Sequence, residues 1–385
     1  MSAPAPTHAG PGGLPPEAFA AALAGLPRMT PRRLAALLRW YPPEQAYAVA
    51  VGAAPADPPS RELLAAEGLG AQWRTAGASV SPAAVWDACE RNGIGVTVLG
   101  SDAYPAVLAA DLDPPAVLFH RGDLAALAAR RAGVVGTRRC TSAGRLTAVR
   151  LGEGLAAEGV AVVSGLARGV DGAAHRGALS QGGAGPIGVV ASGLDVVYPR
   201  EHANLWAAVA EHGVLLGEAP PGTAPEAHRF PLRNRILAAV CEVIVVVESK
   251  STGGSLITVR EALRRDVTVL AVPGAPDAAA AGTNQLLQDG ALVALDVADV
   301  LIALGLDARR AVARLPFDPR PIPPAFDAGV LAALGPAPST LDDVVARLDA
   351  GLGDVALALG RLEASGWVAV TGGWFESLHP RIGPT

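Results

Sequence analysis

Lysine is nearly missing from this chain: one, Lys250, stands among 31 basic residues. That bias, beside 45 glycines and 33 prolines, fits the coding habits of a GC-rich genome, so the arginine count alone says nothing about nucleic acid. The net charge of −5 even points away from it, because nonspecific DNA binders are usually basic overall. Cysteine is scarce as well. Cys89, Cys140 and Cys241 are odd in number and lack C-x-x-C spacing, which argues against a disulfide framework or a zinc site and for a reducing cytoplasm. No apolar run reaches the roughly 18–20 residues of a membrane span, so no membrane partner is expected. The opening "MSAPAPTHAGPGGLPPE" carries no basic start followed by an apolar core, and reads as a floppy tail rather than a signal peptide.

The familiar catalytic and cofactor signatures are missing too. "VVGTRRCTSAG" has the wrong spacing for the G-x-G-x-x-G of dinucleotide sites, and the second β-rich run ends in Ser164 where a ribose-binding acid would stand. There is no G-x-x-x-x-G-K-[ST] loop, which disfavours ATP hydrolysis of that kind. No nucleophile elbow, histidine cluster or metal-ligand spacing appears, so neither a metal nor a cofactor is expected. His175 follows Asp171 by four residues and could share its helix face. An Asp capping the helix with a His packed behind it is the preferred reading over an acid/base pair.

What is present divides the chain. Half of its 385 residues are hydrophobic, enough for a sizeable core and two or three domains. Residues 1–100 read as the tail plus a small helical (SAM-like) domain, Ala/Leu-rich with helical spacing and broken by Pro/Gly turns. Residues 101–310 alternate helical stretches with short β-branched runs: 133–136, 160–164, 187–192, 214–218, 242–249 and 267–274. Continuous apolar strands separated by helices predict a Rossmann-like, doubly wound parallel sheet covered on both faces. Residues 311–325 form a Pro-rich linker. Residues 326–385 hold three helices and a hairpin turning at Thr371-Gly372-Gly373, a winged-helix pattern. Charge is uneven: Arg121 to Arg176 contains nine arginines against four acids, whereas from Phe326 onward three arginines meet seven acids. The acidic tail favours protein contact over duplex DNA binding for the winged helix.

In an open α/β sheet, ligands sit beyond the carboxyl ends of the strands. Here those ends collect glycine, serine and arginine: Gly136 and Arg138 after the first run, Ser164 and Arg168 after the second, Arg200 after the third, Ser255 after the fifth. Glycine lets backbone N–H groups approach an anion, helix starts point N–H groups at it, and arginine offers a planar fork to phosphate oxygens. In "HRFPLRNRILAAV" (228–240), a helix starting near Pro231 puts Phe230, Arg233 and Asn234 on one face. A ring beside guanidinium and amide groups suits an unpaired base stacked on the ring. Arg235 lies about 200° round the helix from Arg233 and cannot serve the same site. It is assigned a structural pairing with a buried acid, Glu218 or Glu248.

"VVGTRRCTSAG", "SGLARGVDGAAHRGAL", "ASGLDVVYPREHANLW", "GEAPPGTAPEAHRFPLRNRILAAVCEVIVVVESKSTGGSLIT" and "GTNQLLQDGA", in this order, resemble the core of the DNA-processing protein A family (DprA, also called Smf). The resemblance implies a non-enzymatic, dimeric protein that binds single-stranded DNA. It would protect the strand during natural transformation and load the recombinase RecA, with single-strand-binding protein as a further partner. Its DNA pocket carries over onto Arg138, Arg200, Phe230, Arg233 and Asn234, with Gly136, Ser164, Arg168 and Ser255 in support. Ala143 stands where the family commonly has tyrosine. The rival reading is a Rossmann-type nucleotide-processing enzyme of the phosphoribohydrolase kind, whose P-G-G-x-G-T-x-x-E signature is not found here.

Overall fold

The computed structural model describes residues 13–306, 320–321, 323–334, 338–348 and 350–378. The expected N-terminal tail up to residue 12 and linker residues 311–319 lie outside them. The chain divides into two compact units, residues 1–308 and 309–385.

The first unit opens with six helices: α1 (Pro16–Ala24), α2 (Pro31–Trp40), α3 (Pro43–Ala50), α4 (Pro58–Ala65), α5 (Leu69–Gly77) and α6 (Pro82–Arg91). Five of the six begin on proline, whose missing N–H costs nothing in a first turn and whose φ is already helical. The prolines that read as breaks are therefore helix starts. Leu23, Leu37, Leu69 and Trp73 are fully buried among these helices, and the Trp73 indole donates to the Pro27 carbonyl at 2.8 Å.

A nine-stranded sheet follows, made of β1 (Gly95–Val98), β2 (Val117–Gly122), β3 (Arg130–Val135), β4 (Val160–Ser164), β5 (Ile187–Val189), β6 (Val214–Gly217), β7 (Val243–Val246), β8 (Thr268–Ala271) and β9 (Leu292–Val293). Its order is β1-β2-β6-β5-β4-β3-β7-β8-β9. The strands from β3 to β9 run parallel, with crossovers through α8 (Ser142–Ala157), α9 (Val170–Gln181), α10 (Ala203–His212), α11 (Arg229–Val240), α12 (Ser255–Leu263) and α13 (Ala281–Gln288), after the short α7 (Ala106–Ala109). The sheet is mixed rather than wholly parallel, because β1 and β2 join its edge antiparallel. Sequence reading put β1 inside the helical region, since four residues are too few to display a period. It also began β3 at Gly133. Arg130 and Arg131 extend the strand because Glu242 and main-chain carbonyls hold their guanidinium groups.

Residues alternate between two apolar layers. Phe119, Leu215 and Leu166 pack toward the N-terminal helices, whereas Leu118, Val214, Leu216 and Val163 pack toward α11 and α12, which contribute Ile236, Leu237 and Val259. Burial on both faces is what a parallel sheet requires. It also fixes the rim where β3, β4, β5 and β7 end as a single edge.

In the second unit, helices Ala325–Leu334, Leu341–Leu348 and Leu352–Ala364 pack on a three-stranded sheet of Ser339–Thr340, Trp374–Ser377 and Val368–Thr371. Gly372 and Gly373 close the hairpin with φ of 59° and 86°, the left-handed pair that a two-residue turn needs. Trp367 is buried in this core under the Arg320 guanidinium at 3.8 Å, whereas Trp374 is half exposed.

Candidate nucleic-acid interface

The loop after β3 is built first. Thr137 N–H donates to the Glu248 carbonyl at 2.8 Å, and the Glu248 carboxylate accepts from the Thr141 hydroxyl at 2.8 Å and its N–H at 3.1 Å. Thr141 in turn caps α8 by accepting from Gly144 N–H at 3.0 Å. A Cβ on Gly136 would stand 2.6 Å from Val170 and 2.9 Å from the Glu248 carbonyl, so only glycine fits where the chain leaves the sheet. Arg138 and Arg139, held at the crest, are both exposed.

Helix α11 supplies the opposing wall. It starts at Arg229, two residues before the expected Pro231. Phe230 is half-buried, with the Arg138 guanidinium carbon 4.6 Å from its ring centre and the Tyr198 ring 5.9 Å away at 60°. One turn on, Arg233 is buried. Its Nη1 donates to the carbonyls of Gly165 (2.9 Å) and Val189, and its Nε donates to Asn234 Oδ1 at 3.1 Å. A guanidinium carries only donors, so the Asn234 atom that meets it must be oxygen, and the amide NH2 is left for the cleft that Asn234 lines. The third wall is the loop after β7, with Lys250, Thr252, Gly253, Gly254 and Ser255 at the start of α12. Together these walls enclose a cleft of about 430 Å³. A smaller hollow, lined by Gly165, Ser192 and Tyr198, adjoins Phe230 on its other side.

The floor is charged. Burial pushes the Asp171 carboxyl up from its ordinary value, against the pull of Arg233 and Arg138. Burial pushes the Arg233 guanidinium down to about 10, opposed by Asp171. His175 makes no pair with Asp171. It is fully buried, its Nε2 lies 3.2 Å from the Ile187 carbonyl, and desolvation lowers its pKa to about 4. Between about pH 4 and 6.5 the unfolded chain therefore binds a proton that the folded one refuses, and stability falls as pH falls through that window. Urea unfolding at pH 7 and pH 5 is expected to lose about 2 kcal/mol more in the wild type than in a His175→Gln variant.

Of the expected site residues, Gly136, Arg138, Phe230, Arg233, Asn234 and Ser255 line one cleft. Three stand apart. Ser164 is fully buried and its hydroxyl donates to the Val134 carbonyl at 2.7 Å, so it holds the sheet together. Arg168 is exposed and forked onto Glu201, with Nη2 at 3.0 Å from Oε2. Arg200 is exposed in the short turn after Tyr198 and Pro199. Ser255 lines the cleft, but its hydroxyl donates to Ser249 Oγ at 2.8 Å. Arg233 presents to the interior the fork that the sequence reading offered to a phosphate. Arg235 takes the structural role expected for one of the two, at 2.5 Å from Glu218. Lys250, Arg139 and Tyr198 were missing from the expected set. Lys250 had a readable signal, as the chain's one lysine in a glycine-rich strand-end loop.

A Rossmann-like sheet with donors, cations and an aromatic wall converging at its strand ends defines a phosphate- and base-binding protein. Comparison with known proteins narrows this class. The family model described as DNA recombination-mediator protein A matches residues 95–305, and the DprA winged helix domain matches residues 316–373. The chain is 40% identical to DNA processing protein DprA of Bacillus subtilis over 215 residues, 55% of this chain and 72% of that protein. The solved structure of DprA from Streptococcus pneumoniae aligns with a TM-score of 0.62 at 30% identity, covering 74% of this chain and 96% of that one. DNA processing protein A from Helicobacter pylori, whose structure is described for its single-stranded DNA binding mode, aligns with a TM-score of 0.50 at 26% identity over 55% of this chain and 97% of that one. The chain belongs to the DNA recombination-mediator protein A family.

Proposed function

We propose that this chain binds single-stranded DNA in the strand-end cleft and, as a cytoplasmic homodimer without catalytic activity of its own, protects the strand and loads RecA onto it during natural transformation and homologous recombination. Single-strand-binding protein is the competitor that it helps RecA displace. Support for DNA comes from the family and from the Helicobacter pylori relative's described binding mode. Support for single strands comes from one observation, the Phe230 ring set among Arg138, Tyr198 and Asn234. A base can stack on that ring only if its own face is free, and in a duplex both faces are covered by the neighbouring base pairs. Arg138, Arg139, Lys250 and the Gly254 N–H at the start of α12 then meet phosphate, on a turn that Gly253 closes by donating to the Lys250 carbonyl at 2.9 Å. Arg233 acts from beneath, through its charge and its hold on Asn234. Gly136 lets the β3 loop approach, and Arg200 extends the site past Tyr198. Ser255, Ser164 and Arg168 support the loops that carry it.

Competition against a labelled oligothymidylate tests the reading. Unlabelled single strands are expected to displace it at roughly a tenth or less of the concentration needed with duplex, without added metal or nucleotide. Equal competition by duplex contradicts the proposal. Turnover of a nucleoside monophosphate would instead favour the enzyme reading.

A further inference from the structure

Nine arginines stand between Arg121 and Arg176 against four acids, and the cleft accounts for few of them. Arg130 and Arg131 are held by Glu242 and Arg168 by Glu201, while Arg138 and Arg139 line the cleft. Of the remaining four, Arg145 and Arg176 lie together. Both are exposed, and among the described residues neither has a carboxylate within ion-pair distance, unlike the exposed pairs Arg28–Glu67 and Arg264–Glu261.

Their placement works against stability. Arg145 sits in the first turn of α8, where the helix dipole is positive and a cation is disfavoured. Arg176 projects from α9, which packs along α8, and after desolvation it is Arg145 that holds its guanidinium below the ordinary value. Arg145 also opposes the rise that burial gives the Cys140 pKa, and Cys140 follows cleft-lining Arg139 in the chain. Exposed arginines thus run from the cleft lip at Arg138 and Arg139 to the first turn of α8 and on to the α9 packed beside it. Glu248, behind the β3 loop, accepts from Thr141 instead.

We propose that Arg145 and Arg176 form a track that carries the phosphate backbone of single-stranded DNA out of the cleft and across the α8–α9 surface. The inference rests on the reading of the cleft as a single-strand site. A sugar-phosphate chain needs only charge along such a path. An acidic protein partner would need an apolar patch as well, and Leu146 is the only large exposed hydrophobic among the described residues of the two helices.

The test is binding of a short oligothymidylate of about 6 nucleotides and a long one of about 25 by the full chain, across a salt series. The doubly substituted Arg145→Ala, Arg176→Ala protein is expected to bind the short strand within about twofold of wild type, and the long strand about tenfold more weakly at low salt. Its salt slope for the long strand falls by about 1.4, two contacts at roughly 0.7 each. Restoring charge with Arg145→Lys, Arg176→Lys brings most of the long-strand affinity back. Unchanged long-strand affinity and slope overturn the track and leave the cleft reading intact, with an acidic protein as the remaining partner of these arginines. Equal loss for both strands also overturns it, because the two arginines would then be supporting the cleft. If the wild type binds neither strand, the cleft reading itself fails, and the track with it.

Discussion

Replacing Phe230 by alanine is expected to weaken binding of single-stranded DNA by about ten- to a hundredfold, the roughly 1–3 kcal/mol that one base–aromatic stack contributes. The fold should survive, because Phe230 is half-buried at the start of α11 while the residues that anchor that helix, Ile236, Leu237 and Val240, lie further along. Arg138→Ala should cause a loss of similar size by another route. Its guanidinium now covers the Phe230 ring at 4.6 Å, so an arriving base has to displace it, and the freed group can then meet the phosphate of the same nucleotide. The two variants should therefore differ in salt dependence. Arg138→Ala flattens the slope by about 0.7, whereas Phe230→Ala leaves it unchanged. Equilibrium binding at several salt concentrations separates them. Wild-type affinity in both variants would remove the cleft from the account.

The second large effect falls on stability. Arg233→Met should destabilise the first unit by about 3–5 kcal/mol, the usual cost of breaking a buried charge network by deleting one member. The deletion strands the carbonyls of Gly165 and Val189 and the Oδ1 of Asn234, and it removes a nearby positive charge from the buried Asp171. Thermal unfolding should shift down by roughly 10 °C. Arg233→Lys should recover little, because an ammonium cannot reach two carbonyls and an amide with one planar fork. A stable Arg233→Met protein that has merely lost DNA binding would mean that the fork belongs to the ligand after all.

Much of this was legible in the chain. The β-branched runs located the parallel strands from β3 to β8, because burial on both faces leaves apolar stretches with no alternation to disguise them, whereas the two-residue, exposed β9 left no such signal. Spacing alone put Phe230, Arg233 and Asn234 on one helix face and sent Arg235 elsewhere, and the structure keeps both assignments. Burial was harder to read. Nothing in "FPLRN" states that Arg233 faces the sheet, since that depends on Gly165 and Val189 arriving from other strands. Ser164 looked like a ligand donor because it ends a strand, yet its hydroxyl closes onto Val134 of the neighbouring one. Arg168 looked free until the fold brought Glu201 beside it. Lys250 in the cleft and Tyr198 in the adjoining hollow escape sequence reading for a related reason: which side chains meet there is decided by convergence of loops far apart in sequence.

Recognition of single strands rests on an unpaired base stacking on Phe230. A single strand carrying 2-aminopurine tests this most directly, because stacking on an aromatic ring quenches its fluorescence. Quenching is expected when the wild type is saturated, and its loss with Phe230→Leu at concentrations that still saturate the strand. Undiminished quenching in the leucine variant would contradict it.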